Sequence, residues 1–327
     1  MAVVISLSHL KKFYTVHKKE PGLTGSLKSL FSRKYETVHA VDDISFTIDE
    51  GELVGFIGPN GAGKTTTLKC LSGLLYPTSG MISVLGYTPF ERKNEFLKKI
   101  SLVMGQKNQL WWDLPAMETF LLNKEIYEVP EEKFKKTLSE LIDLLEVEEL
   151  VSVQVRKLSL GERMKMELIA ALIHSPQVFF LDEPTIGLDV VMQKKMRDFI
   201  KTYNELHRST ILLTSHYMED VRQLAKRVII IDRGKILYDG KLDNLVKKFA
   251  RYKMLSVVLD EYVPPDKLKE VGELTSYDFP RAILHVPRSA SNVAAAQLLQ
   301  KFPVNDLNIE EPDIEEIIRD VFTKSKA

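Results

Sequence analysis

Gly58-Pro59-Asn60-Gly61-Ala62-Gly63-Lys64-Thr65 is the stretch that decides the fold of this chain. It fits the pattern Gly-x-x-x-x-Gly-Lys-[Ser/Thr], and both flanks agree with it. Leu53-Val54-Gly55-Phe56-Ile57 before it reads as a buried strand, and Lys64 to Leu71 after it as the opening turns of a helix. The glycines let backbone N–H groups turn inward around a phosphate, where the helix N-terminus adds positive potential. Thr66 continues the helix start. Lys64 is placed to reach the terminal phosphates, and the Thr65 hydroxyl to serve as a Mg²⁺ ligand. The alternative is a chance glycine-rich turn, and the Lys-Thr pair with both flanks in place speaks against it. The expected ligand is a nucleoside triphosphate.

Outward from that loop, short and nearly continuous apolar runs recur at Val178–Leu181, Thr210–Thr214 and Val228–Ile231. Such runs suit strands covered on both faces, and the helical patterns between them point to a parallel α/β core. Ile44, Phe46 and Ile48 alternate as a half-buried strand. From about 89 to 175 the pattern turns helical, with Phe134, Leu138, Leu141, Ile142 and Leu145 on one stripe, so an α-helical subdomain is expected there. Residues 241–253 read as a linker and 254–327 as a small α+β module. That module has strands at Leu255–Leu259, Ile283–Val286 and near Leu307–Ile309, and a helix at about 290–302. A final helix follows, capped by Asp313 with Glu316.

Composition narrows the class. The chain of 327 residues holds 45 Lys and Arg against 45 Asp and Glu, so no global charge draws it to nucleic acid. A single cysteine, Cys70, excludes an internal disulfide framework and suits a reducing cytosol. No apolar stretch approaches the ~20 residues that cross a bilayer. The start, Met1 to Leu7, is too short for a signal peptide, and its basic residues follow the apolar part. A cytoplasmic chain is expected.

Further motifs stand in a fixed order. Phe179-Phe180-Leu181-Asp182-Glu183-Pro184 has the form of a Walker B strand. Asp182 can hold Mg²⁺, directly or through water, and Glu183 can take a proton from an attacking water. Asp-Glu pairs at strand ends also occur for structural reasons. Leu158-Ser159-Leu160-Gly161-Glu162 opens a helix whose serine and amides suit an anion. Gly187-Leu188-Asp189 follows the Walker B turn, Gln106 stands just after Ile100–Met104, and His216 just after a buried strand.

In this order and spacing the set resembles the nucleotide-binding subunit of an ATP-binding cassette (ABC) transporter, over roughly residues 1–240. The resemblance implies a P-loop ABC ATPase domain, ATP and Mg²⁺ as cofactors, and head-to-tail pairing with a second such subunit. Ser159 and Gly161 are then expected at the γ-phosphate bound by the partner, Glu183 as general base and His216 bracing the γ-phosphate. Gln106 joins both the catalytic and the Mg²⁺-binding residues, and Asp189 and Thr66 the nucleotide-binding ones. Tyr14 matches the aromatic that stacks on adenine, with Phe13 as rival. The signature departs from Leu-Ser-Gly-Gly-Gln: Leu160 replaces a glycine and Glu162 the glutamine. Leu160 is expected to point away from nucleotide, and Glu162 to turn outward or pair with Arg163.

Trp111 and Trp112, the two tryptophans of the chain, share one short loop. They are either buried core aromatics or, by the resemblance, part of the groove that receives a helix of the integral membrane permease. The end of the chain, Asp306 to Pro312 and a short helix, resembles the extension of ABC-2-type exporter ATPases. That implies export of a small molecule from the cytoplasmic face of the membrane. An insertion at 17–39 carries Lys18, Lys19, Lys28, Arg33 and Lys34 against Glu20 and Glu36. It reads either as a solvated loop or as a short basic helix touching permease or anionic lipid. Soluble ABC ATPases acting on ribosomes or DNA remain a second class, usually marked by tandem cassettes or long coiled-coil insertions, and neither pattern is seen here. A third class, a regulator that binds ATP without turnover, fits poorly with an intact Glu183 and His216.

Overall fold

The computed structural model describes residues 2–17, 35–105, 107–215, 217–249, 252–312 and 314–324. Gln106, His216, Asp313 and the basic centre of the insertion, 18–34, lie outside the described residues. The chain divides into two compact units, residues 1–240 and 241–327.

In the first unit, β1 (Val3–His17) pairs antiparallel with β2 (Tyr35–Asp49), from Val3 opposite Asp49 to His17 opposite Tyr35. The ends of the expected insertion are therefore strand. The outer half of β2 is exposed, so no apolar alternation marks it. β3 (Leu53–Ile57) leads through the glycine-rich loop into α1 (Lys64–Leu71), and β4 (Ser79–Val84) completes the three-stranded sheet in the order β2-β1-β4.

After α2 (Asn94–Leu97), β5 (Ile100–Met104) joins the central sheet. The helical subdomain thus begins later than the expected residue 89, because 100–104 is core strand. Its helices are α3 (Ala116–Ile126), α4 (Glu131–Leu145) and α5 (Leu160–Leu172). On α4 the expected stripe Phe134, Leu138, Leu141 and Leu145 is buried, while Ile142 is partly buried. The chain returns to the sheet with β6 (Val178–Asp182), then α6 (Val190–His207), β7 (Thr210–Thr214), α7 (Met218–Leu224), β8 (Arg227–Asp232) and β9 (Lys235–Lys241).

The six strands run in the order β5-β6-β7-β3-β8-β9. Every residue of β6 and β7 is buried, as apolar runs in a doubly covered parallel sheet require. Parallel register places Met104 beside Asp182, and Asp182 beside Thr214, which in turn lies beside Phe56. The loops leaving β3, β5, β6 and β7 therefore meet at one edge. That edge, outside the carboxyl ends of the strands, is where open α/β sheets take ligands.

The second unit holds α8 (Leu242–Phe249), β10 (Tyr252–Leu259), α9 (Pro265–Lys269), β11 (Glu273–Asp278), β12 (Arg281–Pro287), α10 (Ser291–Lys301), β13 (Val304–Glu310) and α11 (Ile314–Lys324). The antiparallel sheet runs β11-β12-β10-β13. Leu255, Val257, Leu284 and Val286 bury one face of it with Leu298 of α10. The stretch expected as a linker contains α8, which lies against α11. Among the described residues no helix is long and apolar enough to cross a membrane.

Candidate nucleotide site

The loop after β3 is shaped by what cannot fit there. A Cβ on Gly58 would lie 2.2 Å from the Ile231 carbonyl oxygen, and one on Gly63, at φ 110°, 2.4 Å from that of Ala40. Both contacts are with backbone, so only glycine lets the loop close. Lys64, 5% exposed, folds back over the loop and donates to the carbonyls of Gly58 at 2.7 Å and Pro59 at 3.3 Å. Burial lowers its pKa, and the nearby carboxylates of Glu183 and Asp182 oppose that shift. Pro59, Asn60 and Gly61 are exposed, Ala62 is buried, and Thr66 is half-buried.

Asp182 gathers the hydroxyls around it. Thr65 donates to Oδ2 at 2.7 Å and Thr214 to Oδ1 at 2.7 Å. One hydroxyl and one carboxylate at this spacing form the hard oxygen pair that Mg²⁺ shares with phosphate oxygens and water, so the residues fit that ion. Among the described residues no cluster of three acidic, His or Cys groups offers an all-protein metal cage.

Glu183 sits one residue on, with φ 56° in the left-handed region, where a glutamate is rarely held without support. Its N–H donates to the Thr214 carbonyl at 3.0 Å and is 3.1 Å from the Thr214 hydroxyl. Its carboxylate lies 3.8 Å from Lys64 Nζ. Gly105 supplies the other brace: its N–H donates to the Asp182 carbonyl at 2.9 Å, and a Cβ there would lie 2.1 Å from the Glu183 carbonyl oxygen. Gly105→Ala is therefore expected to shift the Glu183 turn and lower ATP turnover about tenfold or more. ATP affinity should stay within about threefold, because Lys64 and its loop are untouched. Paired turnover and binding measurements check this, and an unaltered kcat would remove Gly105 from the site.

A second cluster is carried by helix starts. Ser159 caps α5, accepting the Glu162 N–H at 3.3 Å, while Glu162 Oε2 accepts both the N–H and the hydroxyl of Ser159 at 2.8 Å. Glu162 is thus neither turned outward nor paired with Arg163. It closes a capping box, and the two donors of Ser159 lower its pKa. Leu160 is 38% exposed and lies over Gly187, whose φ of 75° brings the backbone close. Gly161 faces Met192. Asp189 caps α6, its carboxylate accepting the Met192 N–H at 2.9 Å.

Sequence reading missed a buried hub beneath these loops. Asp220 accepts Thr185 at 2.5 Å, Ser215 at 2.6 Å and Arg197 at 2.8 Å. It ties the turn after Glu183 to the residue preceding His216 and to α6. Tyr14 stands exposed on β1 with Lys12 Nζ 5.1 Å from its ring centroid, whereas the Phe13 ring is packed on His39 at 4.0 Å. Trp111 and Trp112 are 52% and 47% exposed, which removes the buried-core reading; Leu110 is the residue of that loop that enters the core.

The chain is similar to known proteins along most of its length. Residues 41–186 match the ABC transporter family, and residues 251–310 the C-terminal domain of EvrA-like ABC transporters. The chain is 35% identical over 215 residues to the ABC transporter ATP-binding protein NatA of Bacillus subtilis, covering 66% of this chain and 87% of NatA. It is 34% identical over 221 residues to the bacitracin transport ATP-binding protein BcrA of Bacillus licheniformis, covering 68% of this chain and 71% of BcrA. A dimeric ATP-binding cassette, MJ0796, in a post-hydrolysis state with ADP and phosphate superposes with a TM-score of 0.60 at 25% identity. That superposition covers 73% of this chain and 98% of MJ0796. The chain therefore belongs to the ATP-binding subunits of ABC transporters.

Proposed function

We propose that two copies of this chain pair head to tail around two ATP and drive a separate integral membrane permease that exports a small molecule. The observation that carries this reading is the division of the site. One cluster offers a phosphate cradle, a carboxylate base and a metal pair, while the other, the exposed start of α5 at Ser159, presents an anion-binding helix end. The dimeric state of the MJ0796 cassette supports bringing the two together across copies.

In that arrangement Lys64 leaves the loop carbonyls for the β- and γ-phosphates, and the loop amides hold the same oxygens. Glu183 takes the proton of the attacking water. Thr65 and Asp182 would hold Mg²⁺, which supplies charge neutralisation on the phosphates when bound. Gly161 meets the γ-phosphate of the facing copy through its backbone, and Ser159 does so once its hydroxyl turns from the Glu162 carboxylate to the phosphate. Tyr14 stacks on adenine. Gln106 and His216 take the roles given by the family resemblance, as do Thr66 and Asp189.

The proposed permease docks on the surface beside α3. A cleft of about 490 Å³ is lined by Leu74, Leu97 and Ile126 together with Arg92, Lys98 and Asn123, and Leu74 and Ile126 are exposed. Exposed Trp111, Trp112 and Leu114 add apolar surface on the same unit. A groove that offers both apolar and polar side chains, with exposed tryptophans on the same unit, suits an amphipathic helix of a membrane subunit, which would hold this chain at the cytoplasmic face. The bacitracin transport in the name of BcrA supports a small molecule as the cargo. Changing both Trp111 and Trp112 to Ala should cut copurification of the permease in mild detergent about tenfold or more, because aromatic anchors of this kind carry about 2 kcal/mol or more each. Nucleotide affinity and cooperative melting of the isolated chain should persist. Undiminished copurification would remove the loop from the docking surface.

A further inference from the structure

Helix α5 is tied to the tryptophan loop at two points one turn apart. Glu167, 4% exposed, turns Oε1 to the N–H of Gln109 at 2.7 Å and of Leu110 at 3.3 Å. Arg163, one turn nearer the helix start, sets its guanidinium 5.0 Å from the centroid of the Trp112 ring. The neighbours of Glu167 on the helix, Met166 and Leu168, are fully buried and apolar. A carboxylate there is an expensive choice unless its hydrogen bonds matter, since burying a charge costs more than burying a methylene. Burial raises the Glu167 pKa, while the two amides and the nearby Arg163 pull it back. The same helix begins at Ser159, about 12 Å along its axis at 1.5 Å per residue.

We propose that Glu167 and Arg163 are positioning residues that lock the tryptophan loop to the signature helix, so that a helix docked on Trp111 and Trp112 and a γ-phosphate met by Ser159 act on one rigid piece. This rests on the head-to-tail ATP pairing proposed above. The strut is backbone-directed at one end and a cation–π contact at the other, so it transmits displacement with few rotatable bonds between the two ends.

The two tryptophans are the only ones in the chain, so their emission reports this loop directly. In the Glu183→Gln protein, ATP bound with Mg²⁺ and measured by equilibrium dialysis is expected to shift that emission. Adding Glu167→Ala should abolish the shift without weakening binding. Adding Glu167→Gln, whose amide oxygen can still accept from Gln109 and Leu110, should restore it. With Glu183 intact, Glu167→Ala should lower kcat about tenfold while KM for ATP stays within about twofold, and Glu167→Gln should recover most of the turnover. Should the Ala variant fail to fold, Arg163→Met removes only the guanidinium over Trp112 and should at least halve the shift. No shift in ATP-bound parent protein, a shift that survives Glu167→Ala, or a Gln variant as poor as Ala would overturn the strut. A parent protein that binds no ATP in the dialysis would overturn the nucleotide site itself, and the strut with it.

Discussion

Glu183→Gln is expected to lower steady-state ATP hydrolysis by about 100-fold or more, the usual scale for losing a positioned general base. Nucleotide binding should survive, because nothing that holds phosphate changes. The substitution is isosteric, and the backbone that presents it is fixed independently of its side chain: the N–H stays on Thr214, and Gly105 stays under the carbonyl. What disappears is a carboxylate 3.8 Å from Lys64. In the free chain that loss costs one partly buried ion pair. In the ATP-bound chain it removes a negative charge from beside the triphosphate, so affinity should hold or rise. Because ATP bridges the paired copies in the proposed arrangement, the Gln variant, which keeps its ATP, should accumulate as a dimer. Phosphate release and light scattering with and without ATP measure the two halves of this prediction. Wild-type turnover would remove Glu183 as base, and a monomer at saturating ATP would count against head-to-tail pairing.

The legible parts of this protein are those written in contiguous residues. The phosphate loop, the Walker B strand and the apolar runs of β6, β7 and β8 each carry their meaning within a few positions, because a doubly covered parallel strand admits almost nothing but apolar side chains. The order of the motifs then names the family. What stayed hidden depends on partners far along the chain. Gly105 is a lone glycine in the sequence, and its purpose emerges only against the Glu183 carbonyl. Thr214 and Asp220 look like ordinary residues at a strand end and on a short helix until their hydroxyl and carboxylate partners are seen.

Some misses had a local cause. Glu273–Asp278 offers one aliphatic and one aromatic side chain to the sheet, too little alternation to mark β11 as a strand. Leu242 and Leu245 are the only described buried residues of α8, so a short amphipathic helix read as linker. The Glu162 contact was available without coordinates: Ser159-Leu160-Gly161-Glu162 is the Ser-x-x-Glu signature of a capping box at a helix start. Its consequence is functional as well as structural. The capping contact holds the ionised Glu162 carboxylate on the two donors of Ser159, so in the proposed pairing the Ser159 hydroxyl has to leave Glu162 before it can reach phosphate.

Lys64→Ala should reduce ATP affinity by about 10- to 100-fold, the loss of one or two charge-assisted hydrogen bonds to phosphate at about 1.5–3 kcal/mol each before relaxation. The structure makes this effect separable from damage to the fold. Lys64 donates to the Gly58 and Pro59 carbonyls, and removing it leaves those acceptors short of partners. The same change relieves the desolvation that lowers the Lys64 pKa in its buried position. These two terms oppose each other, so the melting temperature without nucleotide should move little. The increase in melting temperature produced by ATP should shrink sharply, since ligand stabilisation scales with the logarithm of ligand concentration over Kd. Lys64→Met, which keeps the apolar stem packed and removes only the ammonium, should behave like Ala in binding and like the wild type in its nucleotide-free melt. A thermal titration of the three proteins with ATP distinguishes the cases. An undiminished ATP response in the Met variant would mean that the loop amides alone hold the phosphates and that the buried ammonium serves the fold.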